Sequence, residues 1–150
     1  MEYLLTYGWA ILTISIVLSA FIYLGVFNTG TFVSSQCVAQ ADFSCLTARM
    51  DTNGQITFNV QQNTMTNINV TAMSCNATAS YIGMSAISPQ VTMTIGGNHT
   101  FGSVQCYTSK GAAFSGSVGT VYTGYVIMNY TNVQSGFLHT EYITVIEKIT

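Results

Sequence analysis

The sequence predicts an α+β protein in which a long hydrophobic N-terminal α-helix precedes an antiparallel Ig-like β-sandwich. Two observations support this fold class. The first 27 residues contain a single charged side chain, Glu2. The chain after them is rich in Thr, Ser and Asn and repeatedly alternates apolar with polar residues, which is typical of β-strands with one buried face. We therefore expect two domains, a helix over residues 1–28 and a β-domain over residues 29–150.

The N-terminal segment is long enough to cross a membrane. A helix over residues 3–27 measures roughly 37 Å at about 1.5 Å per residue, and the hydrocarbon core of a bilayer is about 30 Å thick. A secretory signal peptide has a basic start and an apolar stretch of about 7–15 residues, and this segment has neither feature. We expect the helix to belong to the working protein and to end near Asn28-Thr29-Gly30, because Asn and Gly readily adopt the left-handed conformation at a helix C-terminus.

The remaining chain contains six segments with the alternation expected of β-strands. A linker or first loop over residues 31–53 precedes them, and Asp51-Thr52-Asn53-Gly54 has the composition of a tight hairpin turn. Six or more short strands at this spacing predict an antiparallel sandwich. The predicted strands are residues 55–61, 68–72, 91–95, 113–118, 121–132 and 138–149.

The low charge of the chain argues against several functions. Only 5% of the residues are charged, with three Lys plus Arg and five Asp plus Glu, whereas a typical soluble protein has about 25%. Nucleic-acid binding requires clustered basic residues, so we expect no nucleic-acid partner. The segment His139-Thr140-Glu141 is interpreted as a solvated edge, and Glu147 lies six residues beyond Glu141. Because no catalytic or metal-binding motif accompanies it, we expect neither an enzyme nor a bound cofactor or metal.

The four cysteines predict disulfide bonds. Their spacings of eight, thirty and thirty-one residues do not fit a metal site, although free buried thiols remain the alternative. Disulfides imply an oxidising compartment. Four cysteines allow three pairings, of which we favour Cys37–Cys45, which closes a short loop after the helix, and Cys75–Cys106, which joins distant parts of the β-region.

Four asparagines fit the N-x-Ser/Thr acceptor for N-linked sugars. Such sugars would hydrate a surface that has few charges, although each triplet also fits an unmodified Asn in a turn or strand. We expect an exported chain that carries covalent N-glycans. The candidate acceptors are Asn69, Asn76, Asn98 and Asn129.

The N-terminus resembles archaeal type IV pilins and pilin-like proteins with class III signal peptides. The resemblance rests on the run Met1-Glu2-Tyr3-Leu4-Leu5-Thr6-Tyr7-Gly8-Trp9-Ala10-Ile11-Leu12 and on Leu24-Gly25-Val26-Phe27-Asn28. It covers about the first 30 residues. The β-region is similar only in style, with cysteines soon after the helix, Thr-rich strands and glycan acceptors.

This resemblance implies a membrane-held precursor that a prepilin peptidase cuts and an assembly machinery extrudes. Subunits would then form a helical homopolymer on the cell surface, with the N-terminal helices in its core, for adhesion. A glutamate near the N-terminus pairs with a neighbouring subunit's terminal amine in this family, which implies that role for Glu2; a helix-dipole role is the alternative. The residues expected in assembly contacts are Glu2, Tyr3, Tyr7, Trp9, Ile14 and Leu18.

The main alternative is a surface glycoprotein that a single membrane-spanning helix anchors and that forms no filament. Composition does not separate this alternative from a filament subunit. An archaellum subunit and a minor pilin share the same architecture. The sequence favours a filament subunit through the resemblance of residues 1–12 alone.

Overall fold

The computed structural model describes residues 2–27 and 33–150, and in the helix it describes side chains from Tyr7 onward. The chain divides into two compact units, Met1–Phe32 and Val33–Thr150. Within the described residues, the first unit contains helix α1 (Glu2–Tyr23) and the second contains eight strands. These are β1 (Gln36–Val38), β2 (Phe43–Met50), β3 (Gln55–Gln62), β4 (Ile68–Asn76), β5 (Ser85–Met93), β6 (Asn98–Tyr107), β7 (Val121–Asn132) and β8 (Leu138–Lys148).

Helix α1 ends earlier than the sequence predicted, at a glycine-based cap. Gly25 has a φ of 68°, a conformation that glycine adopts without steric cost. Its N–H donates to the carbonyl of Ile22 over 3.0 Å, and the N–H of Val26 donates to the carbonyl of Phe21 over 3.1 Å. These two bonds form a Schellman motif, which satisfies the last carbonyls of the helix. The predicted end at Asn28-Thr29-Gly30 lies outside the described residues.

The predicted fold class was wrong in two respects, the relative amounts of strand and helix and the length of the helix. Strands make up about half of the described residues, whereas the helix contains 22 residues, so the protein is mostly β rather than α+β. A search of the described residues finds no helix whose length and apolar character suffice to cross a bilayer. The cap at Gly25 is the local reason that the helix stops short of residue 27.

The Ig-like sandwich of two antiparallel sheets was also wrong. The strands follow one hydrogen-bonded path in the order β1-β8-β7-β4-β6-β3-β2, and β5 pairs with β4 beside this path. Strands β4 and β6 meet in parallel at Cys75↔Cys106 and Asn76↔Tyr107, whereas the other strand pairs are antiparallel. This parallel contact joins what would otherwise be two sheets into one.

The two ends of this sheet approach each other, so that the sheet nearly closes into a barrel. Strand β1 lies at one end of the path and β2 at the other, and the Cys37–Cys45 disulfide connects them with a Cα–Cα distance of 5.6 Å. Met50 of β2 also forms a parallel bridge with Ile149, just beyond β8. A covalent bond and a backbone bridge therefore tie the first and last strands of the path.

The core lies inside this sheet and is built by alternate residues of the strands. Ile56, Phe58 and Val60 of β3 are fully buried, which confirms the predicted inner face of that strand. Aromatic rings fill the space between strands: Phe58 stacks on Phe101 with ring centroids 5.6 Å apart. Burial of such side chains contributes about 25 cal/mol per Å² of apolar surface removed from water, and it dominates the stability of the β-unit.

The hairpin turn predicted at residues 51–54 is confirmed, and it joins β2 to β3. The N–H of Gly54 donates to the carbonyl of Asp51 over 3.0 Å, and the Asp51 carboxylate accepts the N–H of Gln55 over 2.8 Å. Gly54 has a φ of 74°, which explains the need for glycine at this position.

Candidate functional site: the helix surface and the acceptor asparagines

The described part of helix α1 exposes apolar side chains around its whole circumference. Ile14, Ile16 and Val17 are 59%, 61% and 50% exposed. Successive helical positions are rotated by about 100°, so these side chains point in different directions. Trp9 and Ile22, which are 71% and 68% exposed, extend the apolar surface by roughly one and a half turns on either side. A helix that is apolar all round normally lies in an environment that excludes water from every side.

The hydroxyl groups of this helix do not make its surface polar. Thr13 donates its hydroxyl hydrogen to the carbonyl of Ala10, Ser15 to that of Ile11, and Ser19 to that of Ser15, each over 2.8 Å. Bonding to a carbonyl three or four residues earlier satisfies the hydroxyl within the helix itself. Ser15 and Ser19 are also small side chains four residues apart on the same face, and this spacing favours the close approach of another helix.

The residues predicted to make assembly contacts lie on this helix. Tyr7, Trp9, Ile14 and Leu18 are 62%, 71%, 59% and 47% exposed, and Ile14 and Leu18 line the same shallow groove with Thr13 and Val17. Glu2 and Tyr3 belong to the helix, but their side chains lie outside the described part, so the role of Glu2 stays a prediction. The structure thus places four of the six predicted residues on one accessible apolar helix.

Both favoured disulfides are present in the β-unit. Cys37–Cys45 joins β1 to β2, and Cys75–Cys106 joins β4 to β6 beside their parallel contact. Cys75 and Cys106 are fully buried, whereas the first pair is only partly buried. The cysteines are therefore structural, and they lock the two points where the continuity of the sheet is weakest.

The four glycan acceptors differ sharply in accessibility. Asn76 is completely buried, and its side-chain Nδ2 donates hydrogen bonds to the carbonyls of Ser80 and Ile82 over 2.7 and 2.9 Å. An N-linked sugar is attached to this same nitrogen. The buried position of Asn76 therefore argues against its expected glycosylation in the folded protein, and its role is to hold the loop after β4.

Asn69 and Asn129 are half-buried on neighbouring strands, and their acceptor nitrogens remain free within the described residues. The Asn69 Oδ1 atom accepts the hydroxyl of Thr92 over 2.7 Å, and the Asn129 Oδ1 atom accepts that of Thr140 over 2.9 Å. Asn69 lies opposite Thr131 in the β4–β7 ladder, so the two acceptor triplets run side by side. This arrangement fixes each oxygen and leaves each Nδ2 available.

Asn98 is exposed at the start of β6, and mass spectrometry of glycopeptides from the native protein provides the test. We expect a mass increment at Asn98, increments at Asn69 or Asn129, and none at Asn76, because only Asn76 uses its Nδ2 in buried hydrogen bonds. Asn76 therefore serves as an internal control. A sugar on Asn76, or bare asparagine at the other three positions, would contradict this assignment.

Two buried glutamates on β8 were not expected from the sequence. Glu141 and Glu147 are each 3% exposed, so the interpretation of residues 139–141 as a solvated edge holds for the exposed His139 but was wrong for Glu141. The alternation of the strand could have revealed them. Both glutamates occupy odd-numbered positions, as do Ile143, Val145 and Ile149, whose side chains face the core.

Burial controls the electrostatics of both glutamates. Loss of solvation raises the pKa of Glu141; the nearby Asp42 raises it further, and the N–H of Gln40, which donates to Oε1 over 2.8 Å, opposes this shift. Burial likewise raises the pKa of Glu147, against a hydrogen bond with Ser35. Tyr130, close to Asp42 and Glu141, has its pKa raised to about 12, chiefly by burial, and therefore remains protonated at neutral pH.

The raised pKa values predict a β-unit that becomes more stable on mild acidification. A group whose folded pKa exceeds its unfolded value contributes its full stability below the unfolded pKa and loses it as pH rises through the folded pKa. Thermal unfolding of the full chain at pH 8 and pH 5 should therefore show a higher midpoint at pH 5.

The double variant Glu141→Gln/Glu147→Gln should remove most of this pH dependence and unfold at a higher temperature than the parent at pH 8. Glutamine keeps the hydrogen-bond acceptor without the buried charge. An unchanged pH dependence in the double variant would show that other groups cause it.

Two clefts lie in the β-unit. The larger of the two, of about 370 Å³, lies between β5 and β6, and its lining mixes apolar residues such as Ile87 with polar ones such as His99 and Gln105. A second cleft, of about 350 Å³, lies beside Asp42, Tyr130 and His139. Tyr130 donates to Asp42 over 3.4 Å and its ring stacks on that of His139. Among the described residues, no group of three His, Cys, Asp or Glu side chains is arranged to hold a metal ion.

Comparison with models of known protein families finds no match, and no curated protein matches the chain at a significant level.

Proposed function

We propose that this protein is a structural subunit of an extracellular filament of the archaeal type IV pilus kind, which polymerises through helix α1 and serves surface adhesion. The observation that carries the proposal is the exposure of apolar side chains on every side of the helix between Tyr7 and Tyr23. The resemblance of residues 1–12 to pilin N-termini is the reason for proposing a type IV pilus rather than another kind of filament.

The physical reason for polymerisation is the removal of this surface from water. Exposed apolar patches of more than a few hundred Å² are rare on proteins that work alone, and 13 large apolar side chains from Tyr7 to Val26 are more than 40% exposed. Helices from several subunits, packed against one another, would cover all sides of each helix at once. Self-association in a helical core is therefore the arrangement that best matches an all-round apolar surface.

The β-unit has properties that suit the outer surface of such a filament. Its two disulfides favour an oxidising environment outside the cytoplasm. Its surface carries few charges, so sugars at Asn69, Asn98 or Asn129 would provide hydration. In this proposal the precursor is held in the cytoplasmic membrane, and prepilin peptidase and the assembly machinery are transient partners.

Electron microscopy of material sheared from the cell surface tests this function directly. We expect thin helical filaments, and mass spectrometry should identify this chain as their principal protein. The same chain found only as single molecules in the membrane fraction, with no filaments containing it, would instead support the membrane-anchored glycoprotein and overturn the proposal.

A further inference from the structure

Three loops at one end of the β-unit expose large apolar side chains. They join β3 to β4, β5 to β6 and β7 to β8, over residues 63–67, 94–97 and 133–137. Together with the first residue of β8 they form a surface that we call the loop tip. Its apolar side chains are each more than half exposed, and they are Met65, Ile95, Val133, Phe137 and Leu138.

Hydrogen bonds hold the three loops side by side. Asn67 of the first loop links it to the other two, because its carbonyl accepts the N–H of Val133 over 3.0 Å and its Oδ1 atom accepts the N–H of Ile95 over 3.2 Å. The Nδ2 atom of Asn132 also donates to the Oγ1 atom of Thr66 over 2.7 Å. The apolar side chains are therefore displayed on a preorganised surface, so binding through them does not first have to order the loops.

The loop tip lies far from the point where the chain enters the β-unit. Strand β8 starts at Leu138 in the tip and ends at Lys148. The segment that follows the helix in sequence reaches the unit at that second end, where the Oγ atom of Ser35 accepts the N–H of Lys148 over 3.5 Å. Ten steps of extended strand at about 3.3 Å each separate the two ends by about 33 Å.

The three loops contain no charged side chain. The carboxylate beside them belongs to Asp42, in the turn before β2, whose carbonyl accepts the N–H of Asn63 over 2.8 Å. Attraction to an anionic lipid surface requires clustered basic residues, and the loop tip has none. The candidate glycan acceptors lie in strands rather than in these loops. The chemistry of the tip therefore fits an uncharged, apolar target.

The size of the loop tip favours a lipid surface over a second protein. A large aromatic side chain buries about 150–250 Å², so five apolar side chains of this degree of exposure offer roughly 500–600 Å². Patches of this size on a single protein are often functional, but a standard protein interface buries about 800 Å² on each partner. Side chains at the ends of loops can instead enter the boundary between headgroups and acyl chains, which covers them without a complementary partner surface.

We propose that the loop tip inserts into an uncharged lipid surface, and that this contact is the adhesive contact of the proposed filament. The inference rests on the proposed function for its biological role, and it adds the chemical class of the target. Binding of this kind depends on the apolar area that is buried. It should change little with salt concentration, because no pair of opposite charges contributes to it.

Fluorescence quenching by brominated lipids tests the insertion with the full chain. The helix is kept in an amphipathic polymer, and the free polymer is removed before phosphatidylcholine vesicles with brominated acyl chains are added. Trp9 is the only tryptophan of the chain, so a Trp9→Phe background leaves the tryptophan introduced by Phe137→Trp as the single reporter. We expect the vesicles to quench its fluorescence.

Val118→Trp in the same background is the matched control. Val118 is 72% exposed and lies at the opposite end of the unit, where the N–H of Gly119 donates to the carbonyl of Ile149. Its reporter should stay unquenched. If the helix alone brought the β-unit to the bilayer, the end where the chain enters would approach first and Val118→Trp would be quenched at least as strongly. That result, or an unquenched Phe137→Trp reporter, would overturn the inference.

Co-sedimentation with phosphatidylcholine vesicles measures the contribution of one side chain. Met65→Ser should weaken binding about tenfold, because an apolar side chain of this size no longer leaves water. Val118→Ser should bind as the parent does, and the unchanged helix contributes equally to all three chains. Equal binding by Met65→Ser and the parent, or much tighter binding to vesicles that contain phosphatidylglycerol, would contradict insertion of an uncharged apolar tip.

These measurements use single chains, so their outcome does not depend on polymerisation. Quenching at Phe137→Trp in a protein for which electron microscopy finds no filaments would leave the lipid contact standing while the proposed function fails. Filaments whose subunits show no quenching at the loop tip would overturn the inference and leave the proposed function intact.

Discussion

Filaments are expected to disappear when Ile14 is replaced by Lys, while the β-unit keeps its stability. The Ile14 side chain is 59% exposed in the subunit, so the substitution disturbs little within one chain. In a helical core the same position would be surrounded by apolar side chains, where an unpaired ammonium group costs several kcal/mol. Because every subunit carries the change, the cost recurs at each step of assembly.

Two variants control for effects unrelated to the helix core. Ile14→Met preserves size and apolar character and should assemble normally, since volume-conserving apolar changes are well tolerated. Thr52→Lys adds the same charge at the exposed hairpin turn between β2 and β3 and should also form filaments. Electron microscopy of sheared material gives the readout, with circular dichroism to verify the β-unit. Normal filaments from Ile14→Lys would rule out Ile14 as a core position.

Replacement of Gly54 by Ala is expected to destabilise the β-unit by more than about 3 kcal/mol, which exceeds the cost of most single substitutions. Gly54 has a φ of 74°, and an added Cβ atom would lie 2.0 Å from the backbone oxygen of Phe114. That backbone cannot simply move away, because the N–H of Phe114 donates to the carbonyl of Cys106 over 2.8 Å. The ring of Phe114 also packs against Tyr122, with centroids 4.7 Å apart.

Gly96→Ala is the matched control for this prediction. Gly96 has a φ of 70°, but an added Cβ would have no atom within 4 Å. Its cost should therefore be limited to the left-handed conformation, about 1–2 kcal/mol. The free energies of unfolding come from chemical denaturation of the full chain in a mild detergent. Equal losses for the two variants would mean that the contact with Phe114 relaxes easily and that backbone conformation alone sets the cost.

Elements with regular alternation were well predicted from the sequence. Strand β7 has the predicted bounds of residues 121 and 132, and β3 and β8 each differ from their predictions by one residue. In these strands apolar side chains recur at every second position, because one face packs on the core. The hairpin at Gly54 and both disulfides depend on equally local signals, namely turn composition and the spacing of cysteines.

Irregular strands were missed because a β-bulge interrupts the alternation of core-facing and solvent-facing side chains along the strand. Residues 31–53 were interpreted as a linker, yet they contain β1 and β2, and the β2 register shifts between Cys45 and Thr47. Strand β6 was missed as well; it contains Gly102, and Ser103 has a φ of 58°. Residues 113–118 were predicted as a strand, but Ala113 forms only an isolated bridge to Tyr107. A bulge adds a residue to one strand and reverses which side chains face inward.

Long-range features were beyond the sequence for a different reason. The near closure of the sheet depends on contacts between β2 and the segment after β8, which are about 100 residues apart, and no local pattern encodes such a pairing. The features of the candidate site likewise fall into those that local sequence encodes and those that depend on long-range contacts. The apolar helix and the glycan acceptors can be found from motifs, whereas the burial of Asn76, Glu141 and Glu147 depends on which strands become neighbours.

The near closure of the sheet also bears on how crowded copies of this protein avoid unwanted association. An open strand edge is a template on which another chain adds a strand, and it is a common origin of aggregation. Here the two terminal strands of the path are tied to each other, and β5, which lies beside it, carries Pro89, whose nitrogen has no hydrogen to donate. If the chain polymerises as proposed, its copies can thus stay separate folded β-units even at very high local density.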